Sequence, residues 1–300
     1  MTAGTTISVQ HLGGINAGYR LSNGAVDPAK PTVVLINSMC MTSALYDLQF
    51  GNKALTDAAN LLAIEPIGHG ATECSSENFT YWDTAIMAVQ VLDALGIKKA
   101  FALGTSQGGW IVTRMALVAP EKIQGLMILG SSLDYESAAS REKGCWDPAT
   151  MLGPVVDSLY SAEPTPDFLI DETLRENVVT IGFSGTVSEE TIAFWKATLN
   201  KVYSGDEGRK KLRGAFTTLL ERDSLLRRLK DIKCPVYWIQ VQGNQDPVYG
   251  VEVPKDHIQF FTGSVETELS FTDGGHYLNA TSPKDVDAKL LQLISKYSAL

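Results

Sequence analysis

A serine between two glycines is the group in this sequence best suited to nucleophilic chemistry. The letters GTSQGG at residues 104–109 place Ser106 between Gly104 and Gly108. The apolar run at residues 100–103 predicts a buried strand before it, and an apolar-periodic run predicts a helix after it. On such a connection the hydroxyl points away from the sheet, and the first N–H groups of the helix face developing negative charge. The pattern predicts a nucleophile at Ser106, with an ordinary glycine-rich turn as the alternative.

A serine hydroxyl needs a neighbouring base, and the chain has four histidines. His276 lies in the glycine-rich stretch DGGHY at residues 273–277, after the last predicted strand and before the final predicted helix. A loop at the carboxyl end of a parallel strand lies at the same sheet edge as Ser106. This placement favours His276 as the base.

The other histidines have weaker claims. His69 also follows a predicted strand, but it lies in a tight turn between Gly68 and Gly70, which predicts a structural residue bonded to nearby backbone. His11 and His257 lie in a predicted edge strand and a polar loop, where we expect them to face solvent.

The base in turn needs an acid that orients it. Asp246 lies in the stretch QGNQDPV at residues 242–248, which follows the predicted strand ending at Val241 and so reaches the same edge. An aspartate before proline is also a common turn residue, and Asp134, shortly after the predicted strand at residues 126–129, is the rival acid. Because Asp246 adds a third loop at one edge, the pattern favours it over Asp134.

The developing oxyanion needs two N–H donors. One is expected from Gln107, which follows the nucleophile. The other is expected from the loop NSMCM at residues 37–41, which follows a predicted strand at residues 32–36.

These loops require a sheet whose strands end at one edge. Short apolar or alternating runs predict strands at residues 7–11, 18–22, 32–36, 61–64, 100–103, 126–129, 235–241 and 266–271. The first two form an antiparallel pair, and the later strands alternate with predicted helices such as residues 81–95 and 283–297. This alternation predicts an α/β fold with a mainly parallel sheet covered on both faces.

The alternation of predicted strands and helices is interrupted in the middle of the chain. Residues 134–232 contain no convincing strand and show helical fragments at residues 168–179, 189–201 and 214–229. An insertion of about 100 residues predicts a helical cap over a core made of residues 1–133 and 233–300. Ordinary crossover helices are the alternative. For six aromatic residues of this segment the favoured role is packing inside the cap, although some of them could line an apolar pocket: Trp146, Tyr160, Phe168, Phe183, Trp195 and Tyr203.

Composition excludes several classes of partner. The chain has 300 residues, 44% hydrophobic and 20% charged, and its net charge of −9 argues against nucleic acid and anionic membranes. The N-terminus lacks the features of a secretory signal, and no apolar run approaches the roughly 20 residues of a membrane span. The four scattered cysteines contain no C-x-x-C pair, which favours reduced thiols over a metal site. We expect a cytoplasmic protein that acts on a small molecule without metal or organic cofactor.

Taken together, the chain resembles the α/β-hydrolase fold over essentially its full length. The matching segments are GTSQGG at residues 104–109, GNQD at residues 243–246, GH at residues 275–276 and GHG at residues 68–70. The resemblance implies a mostly parallel eight-stranded sheet with a helical cap after the sixth strand. It also implies a catalytic triad in the chain order Ser106, Asp246, His276.

One segment departs from the family. Many members carry His-Gly after the third strand, where this chain has Asn37 and Ser38. By the resemblance the oxyanion donors are the backbone N–H groups of Met39 and Gln107. Serine in place of glycine at position 38 changes how closely a substrate can approach.

Within the family the chain resembles capped serine esterases and lactonases, including fungal lactone hydrolases of the zearalenone type. Those lactonases take their acid from the loop after the sixth strand, where this chain has glycine and serine at residues 130–132. The resemblance implies hydrolysis of an ester, lactone or thioester of a small to medium apolar or aromatic substrate through an acyl-enzyme. Carbon–carbon bond hydrolysis, acyl transfer or non-hydrolytic cyclisation on the same triad is an alternative, as is a ligand-binding receptor.

Overall fold

The computed structural model describes residues 5–185, 187–243 and 245–298. The two ends of the predicted core, and Asn244 of the GNQD segment, lie outside the described residues.

The described residues form one sheet with strand order β1-β2-β4-β3-β6-β7-β8-β9, and β5 pairs with β2. The strands are β1 (Thr5–Val9), β2 (Ile15–Leu21), β3 (Thr32–Ile36), β4 (Asn60–Ile64), β5 (Glu73–Cys74), β6 (Ala100–Thr105), β7 (Ile123–Leu129), β8 (Val236–Val241) and β9 (Thr267–Thr272). Strand β2 is antiparallel to β1, β4 and β5, and the pairs from β4 through β9 are parallel. The prediction of a mostly parallel sheet is confirmed, and β5 is a two-residue addition that no periodicity could reveal.

Helices cover the sheet and fill the long connection between β7 and β8. They are α1 (Asp47–Gly51), α2 (Lys53–Ala58), α3 (Tyr81–Ala94), α4 (Gln107–Val118), α5 (Ala138–Glu142), α6 (Pro148–Ser158), α7 (Glu172–Phe183), α8 (Glu189–Val202), α9 (Gly205–Leu220), α10 (Glu252–His257), α11 (Leu278–Thr281) and α12 (Pro283–Tyr297). Short 3₁₀ turns lie at His11–Gly13, Ser43–Tyr46, Leu229–Asp231 and Ile258–Phe260.

The central strands are apolar throughout because both of their faces are buried. Along β3, Val34 and Ile36 pack into one hydrophobic cluster, while Val33 and Leu35 pack into the cluster on the opposite face. Helices α3 and α4 cover the first face, and α12 covers the second. Burial on both faces explains why these strands show continuous apolar runs rather than alternation.

The helical segment, defined as residues 134–232, contains α5 to α9, and its described residues form no strand. Helix α8 lies where the sequence predicted it, but the prediction for residues 214–229 was wrong in its second half. Helix α9 ends at Leu220, and Arg222 beyond it is buried in an ion pair. The helix begins at Gly205, earlier than predicted, because its first turns are polar and contain two glycines, which have low helix propensity.

Candidate active site

Ser106 lies at the junction of β6 and α4 with backbone angles φ 55° and ψ −118°. A positive φ is uncommon for a residue with a side chain and is held here by close packing. A Cβ at Gly104 would lie 2.1 Å from the carbonyl carbon of Gly108, and one at Gly108 would lie 2.0 Å from the carbonyl oxygen of Ile36. Glycine is therefore required at both positions because the strand and the helix approach so closely.

His276 and Asp246 reach Ser106 from the loops after β9 and β8. The Nε2 atom of His276 lies 2.9 Å from Oγ of Ser106, and its Nδ1 atom lies 3.0 Å from Oδ2 of Asp246. An ionised carboxylate only accepts hydrogen bonds, so Nδ1 carries the proton and Nε2 accepts from the serine hydroxyl. All three residues are buried, with exposures of 8% for Ser106, 3% for His276 and 6% for Asp246.

The carboxylate of Asp246 is held by donors besides the imidazole. Its Oδ2 atom also accepts a hydrogen bond of 3.0 Å from the side chain of Gln240. Its Oδ1 atom accepts from the backbone N–H groups of Val248 at 2.8 Å and Tyr249 at 3.3 Å. These donors fix the carboxylate, so it can hold the imidazole in one orientation.

The rival acid is bound elsewhere. The Oδ2 atom of Asp134 accepts hydrogen bonds from the hydroxyls of Ser137 and Ser140. These bonds tie the carboxylate to Ser137 and Ser140 at the start of α5, and the imidazole of His276 is bonded to Asp246 instead.

Both residues that are expected to supply the oxyanion donors line the cavity that contains Ser106, and their role stays a prediction. Gln107 is the first residue of α4, so its N–H has no acceptor within the helix. The loop that contains Met39 is a tight turn, in which the side-chain amide of Asn37 donates to the carbonyl oxygens of Ser38 at 3.0 Å and Met41 at 2.7 Å. Met39 and Gln107 both line the cavity described below.

His69 holds the side chain of Gln107. Burial lowers the pKa of His69 to about 4, so the imidazole is neutral near neutral pH. The amide Nε2 of Gln107 donates to Nε2 of His69 at 2.9 Å, which leaves Nδ1–H to donate to the carbonyl oxygen of Ile67 at 3.0 Å. The hydroxyl of Tyr81 donates to Oε1 of Gln107 at 3.2 Å. The bond to nearby backbone agrees with the prediction for His69, whereas its contact with Gln107 was missed.

The prediction that His257 faces solvent was wrong. Residues 252–257 form helix α10, and the buried imidazole accepts a hydrogen bond of 3.3 Å from the backbone N–H of Leu133. Burial lowers the pKa of His257 to about 4. His11 is half-buried, with Nε2 2.8 Å from a carboxylate oxygen of Asp83.

A cavity of about 240 Å³ lies over the serine and the histidine. Its lining is mainly apolar, and α6 and α7 contribute Leu152, Val155, Leu174 and Val178. Of the six aromatic residues of the helical segment that were named from the sequence, all of them described, Trp146 alone is part of the lining. Tyr160 is 73% exposed, while Phe183, Trp195 and Tyr203 are packed in the hydrophobic core.

The described residues include no group of three or more histidine, cysteine, aspartate or glutamate side chains placed to hold a metal ion. The four cysteines are unpaired. No helix in the described part of the chain is long and apolar enough to cross a membrane.

Residues 31–283 match the family defined by the alpha/beta hydrolase fold. The match covers most of the chain, and the chain therefore belongs to the α/β-hydrolase family.

Three individual similarities illustrate the range of that family. The chain is 27% identical over 148 residues to a 1-acylglycerol-3-phosphate O-acyltransferase of Arabidopsis thaliana. This match covers 47% of the chain and 34% of the relative, so the chain spans about a third of that relative's length. A solved hydrolase from Pseudomonas aeruginosa is similar with a TM-score of 0.73 and 21% identity, covering 98% of this chain and 99% of that one.

The third is the solved enol-lactonase from Burkholderia xenovorans, with a TM-score of 0.72 and 16% identity, covering 98% of this chain and 100% of that one. At these identities the likeness to the two solved structures concerns the fold.

Proposed function

We propose that the protein is a serine hydrolase that cleaves a carboxylic ester, lactone or thioester through an acyl-enzyme. The observation that carries this proposal is the 2.9 Å contact between Oγ of Ser106 and Nε2 of His276, continued at 3.0 Å to Asp246. Nucleophile, base and orienting acid in mutual hydrogen-bond contact are the arrangement that acyl transfer requires. The family's hydrolase character supports the same reaction class.

In the first half-reaction, Oγ of Ser106 attacks the substrate carbonyl carbon while Nε2 of His276 takes the hydroxyl proton. The tetrahedral intermediate collapses, the bond to the leaving oxygen or sulfur breaks, and His276 returns the proton to that atom. Water then attacks the acyl-enzyme with His276 again as the base, which releases the acid and restores Ser106. Asp246 keeps the proton of His276 on Nδ1 and stabilises the imidazolium that forms in each step.

The N–H groups of Met39 and Gln107 are the proposed donors to the oxyanion. Loss of one such donor costs roughly 3–4 kcal/mol of transition-state stabilisation. The contacts of the Gln107 side chain with His69 and Tyr81 support this role, because they fix the first turn of α4 beside the serine.

The helical segment is the proposed cap, with residues 1–133 and 233–300 as the core. This division is supported by the position of α6 and α7, which line the cavity over Ser106. A mainly apolar cavity of about 240 Å³ suits a small to medium apolar or aromatic acyl compound.

Acyl transfer is the second candidate, because the local match to an O-acyltransferase favours it. It would use the same acyl-enzyme, and an alcohol would replace water as the acceptor.

A panel of aryl esters, thioesters and lactones in isotopically labelled water tests both candidates. We expect one labelled oxygen in each acid released and a loss of several decades in kcat for Ser106→Ala with the fold intact. If an added alcohol acceptor takes most of the acyl group, the protein is a transferase. Unchanged turnover in Ser106→Ala would overturn the proposal.

A further inference from the structure

The wall of the cavity contains a buried ion pair that the triad does not use. Arg222 lines the cavity. Its Nη2 atom donates to Oε2 of Glu136, and the two side chains are only 2% and 0% exposed. Removing two charges from water is costly, and such a pair is not by itself a source of stability.

The guanidinium of Arg222 retains donors without an acceptor. Its Nη1 and Nη2 atoms donate to the carbonyl oxygen of Leu219 and to Glu136. Its Nε atom is buried and has no hydrogen-bond partner among the described residues. Since a guanidinium has five N–H donors and burial without partners is unfavourable, Arg222 is under-satisfied in a cavity with a mainly apolar lining.

Two aromatic residues contact the pair, and one of them also packs against His276. The guanidinium lies 4.6 Å from the ring centre of Trp110, a residue of α4 that also lines the cavity. Tyr249 donates from its hydroxyl to Oε1 of Glu136 at 3.1 Å, and its ring centre lies 5.7 Å from that of His276. Glu136 itself adopts φ 53°, a conformation that is unfavourable for a non-glycine residue.

We propose that Arg222 forms a subsite for a neutral oxygen acceptor on the substrate, such as a ketone or ether oxygen, remote from the carbonyl that reacts. The subsite rests on the proposed function, because it selects among esters that Ser106 would cleave. An oxygen at this position would pair with the Nη hydrogens that Leu219 and Glu136 leave free, whereas a hydrocarbon would leave them unpaired.

The charges around the cavity favour a neutral ligand over a carboxylate. Glu136 lies behind Arg222 and compensates its charge. Asp171 also belongs to the cavity lining and adds negative charge. Arg114 is another buried arginine, but it is paired with Asp223 and is not part of the cavity lining.

Matched ester pairs test the subsite. The substrates are para-nitrophenyl esters of straight-chain acids and their analogues in which an ether oxygen replaces one methylene at successive positions, each normalised to its rate of alkaline hydrolysis. We expect kcat/KM to be about tenfold or more higher for the ether at one position than for the hydrocarbon of equal length, as for one hydrogen bond to a charged donor.

Two variants separate recognition from folding. Arg222→Met alone would leave Glu136 charged and unpaired, so the double variant Arg222→Met with Glu136→Gln removes both charges, and we expect it to lose the ether preference. Glu136→Gln alone leaves Arg222 uncompensated and is expected to shift selectivity towards the monoester of a dicarboxylic acid. Arg114→Met is the matched control, and it is expected to keep the wild-type ratio whatever its effect on stability.

The outcomes distinguish this inference from the proposed function. The subsite alone is overturned if kcat/KM is equal for the ether and the hydrocarbon ester at every position. It is also overturned if the preference for the ether persists in the double variant. If esters turn over too slowly to measure, two fluorophosphonates can be compared instead, one with a hydrocarbon chain and one with an ether oxygen in place of one methylene. The ratio of their rates of labelling Ser106 then measures the preference for the ether. No turnover and no labelling overturns the proposed function and the subsite with it.

Discussion

Two histidines in glycine-rich loops lie at the same edge of the sheet and contact consecutive residues of the chain. His276 contacts Ser106, and His69 contacts Gln107. The two rings differ in the partner of Nδ1. In His276 this atom lies 3.0 Å from a carboxylate oxygen of Asp246, and in His69 it lies 3.0 Å from the carbonyl oxygen of Ile67.

This difference determines what each imidazole can do. A carboxylate stabilises the imidazolium that forms when a base takes a proton, whereas a neutral carbonyl in a buried site does so much less. His69 therefore stays neutral, with a pKa lowered to about 4 by burial, and acts as a positioning residue. Both rings lie at the same edge of the sheet, so it is the partner of Nδ1 that distinguishes the base from the positioning residue.

The largest expected effect separates the two histidines directly. In His276→Gln we expect kcat for a cleavable ester to fall by about 10⁴-fold or more, because no other group takes the proton of Ser106. Single-turnover and steady-state rates, with circular dichroism as the control for folding, measure this. A fall of similar size in His69→Gln would remove the distinction between the rings.

Asp246→Asn tests the group behind His276. The amide still fills the site, but it can donate to Nδ1 and stabilise the wrong tautomer, so we expect kcat to fall by about 10³–10⁴-fold near neutral pH. The pH profile of kcat/KM is the measurement. Activity within tenfold of wild type would show that another acid supports the imidazole.

His69→Gln is expected to have a smaller effect. Of the contacts to the residues around Ser106, it changes the one that orients Gln107, so we expect a fall in kcat of about tenfold, less than the loss of a whole oxyanion donor. The KM and the pKa values in the pH–rate profile should stay near those of wild type. A shifted pKa in that profile would mean that His69 takes part in proton transfer.

The smallest effect concerns stability. Buried His69 and His257 have folded-state pKa values of about 4, below the value of 6.5 for a free imidazole. The unfolded chain binds more protons between these values, so the free energy of unfolding should fall as pH drops from 6.5 to 4, by up to roughly 3 kcal/mol for each residue. Urea unfolding across this pH range should show a shallower dependence in His69→Gln. An identical slope in that variant would contradict a neutral buried His69.

The sequence was sufficient to identify the three residues that meet at the site. Ser106 and Asp246 each follow a strand with a continuous apolar run, and His276 follows the alternating strand β9. Parallel strands bring the loops after them to one edge of the sheet. No sequence pattern predicted the contact between His69 and Gln107, because this contact depends on how two turns pack together after folding.

Other features depend on packing that no local pattern records. Glu136 and Arg222 are 86 positions apart, and their residue types are typical of solvent-exposed surface. His257 lies in a stretch that is polar in sequence, yet α10 turns its imidazole inward towards Trp238. Phe183, Trp195 and Tyr203 could be assigned to the interior because large apolar side chains mostly pack together. The same assignment was wrong for Tyr160, which is 73% exposed.

Peptide mapping after reaction with a fluorophosphonate tests the central claim most directly, namely that Ser106 is the nucleophile activated by His276. We expect one adduct, on the peptide that contains Ser106, formed rapidly in wild type and in His69→Gln and at least about a hundredfold more slowly in His276→Gln. No adduct, an adduct on a different residue, or equal labelling rates in the two histidine variants would contradict that claim.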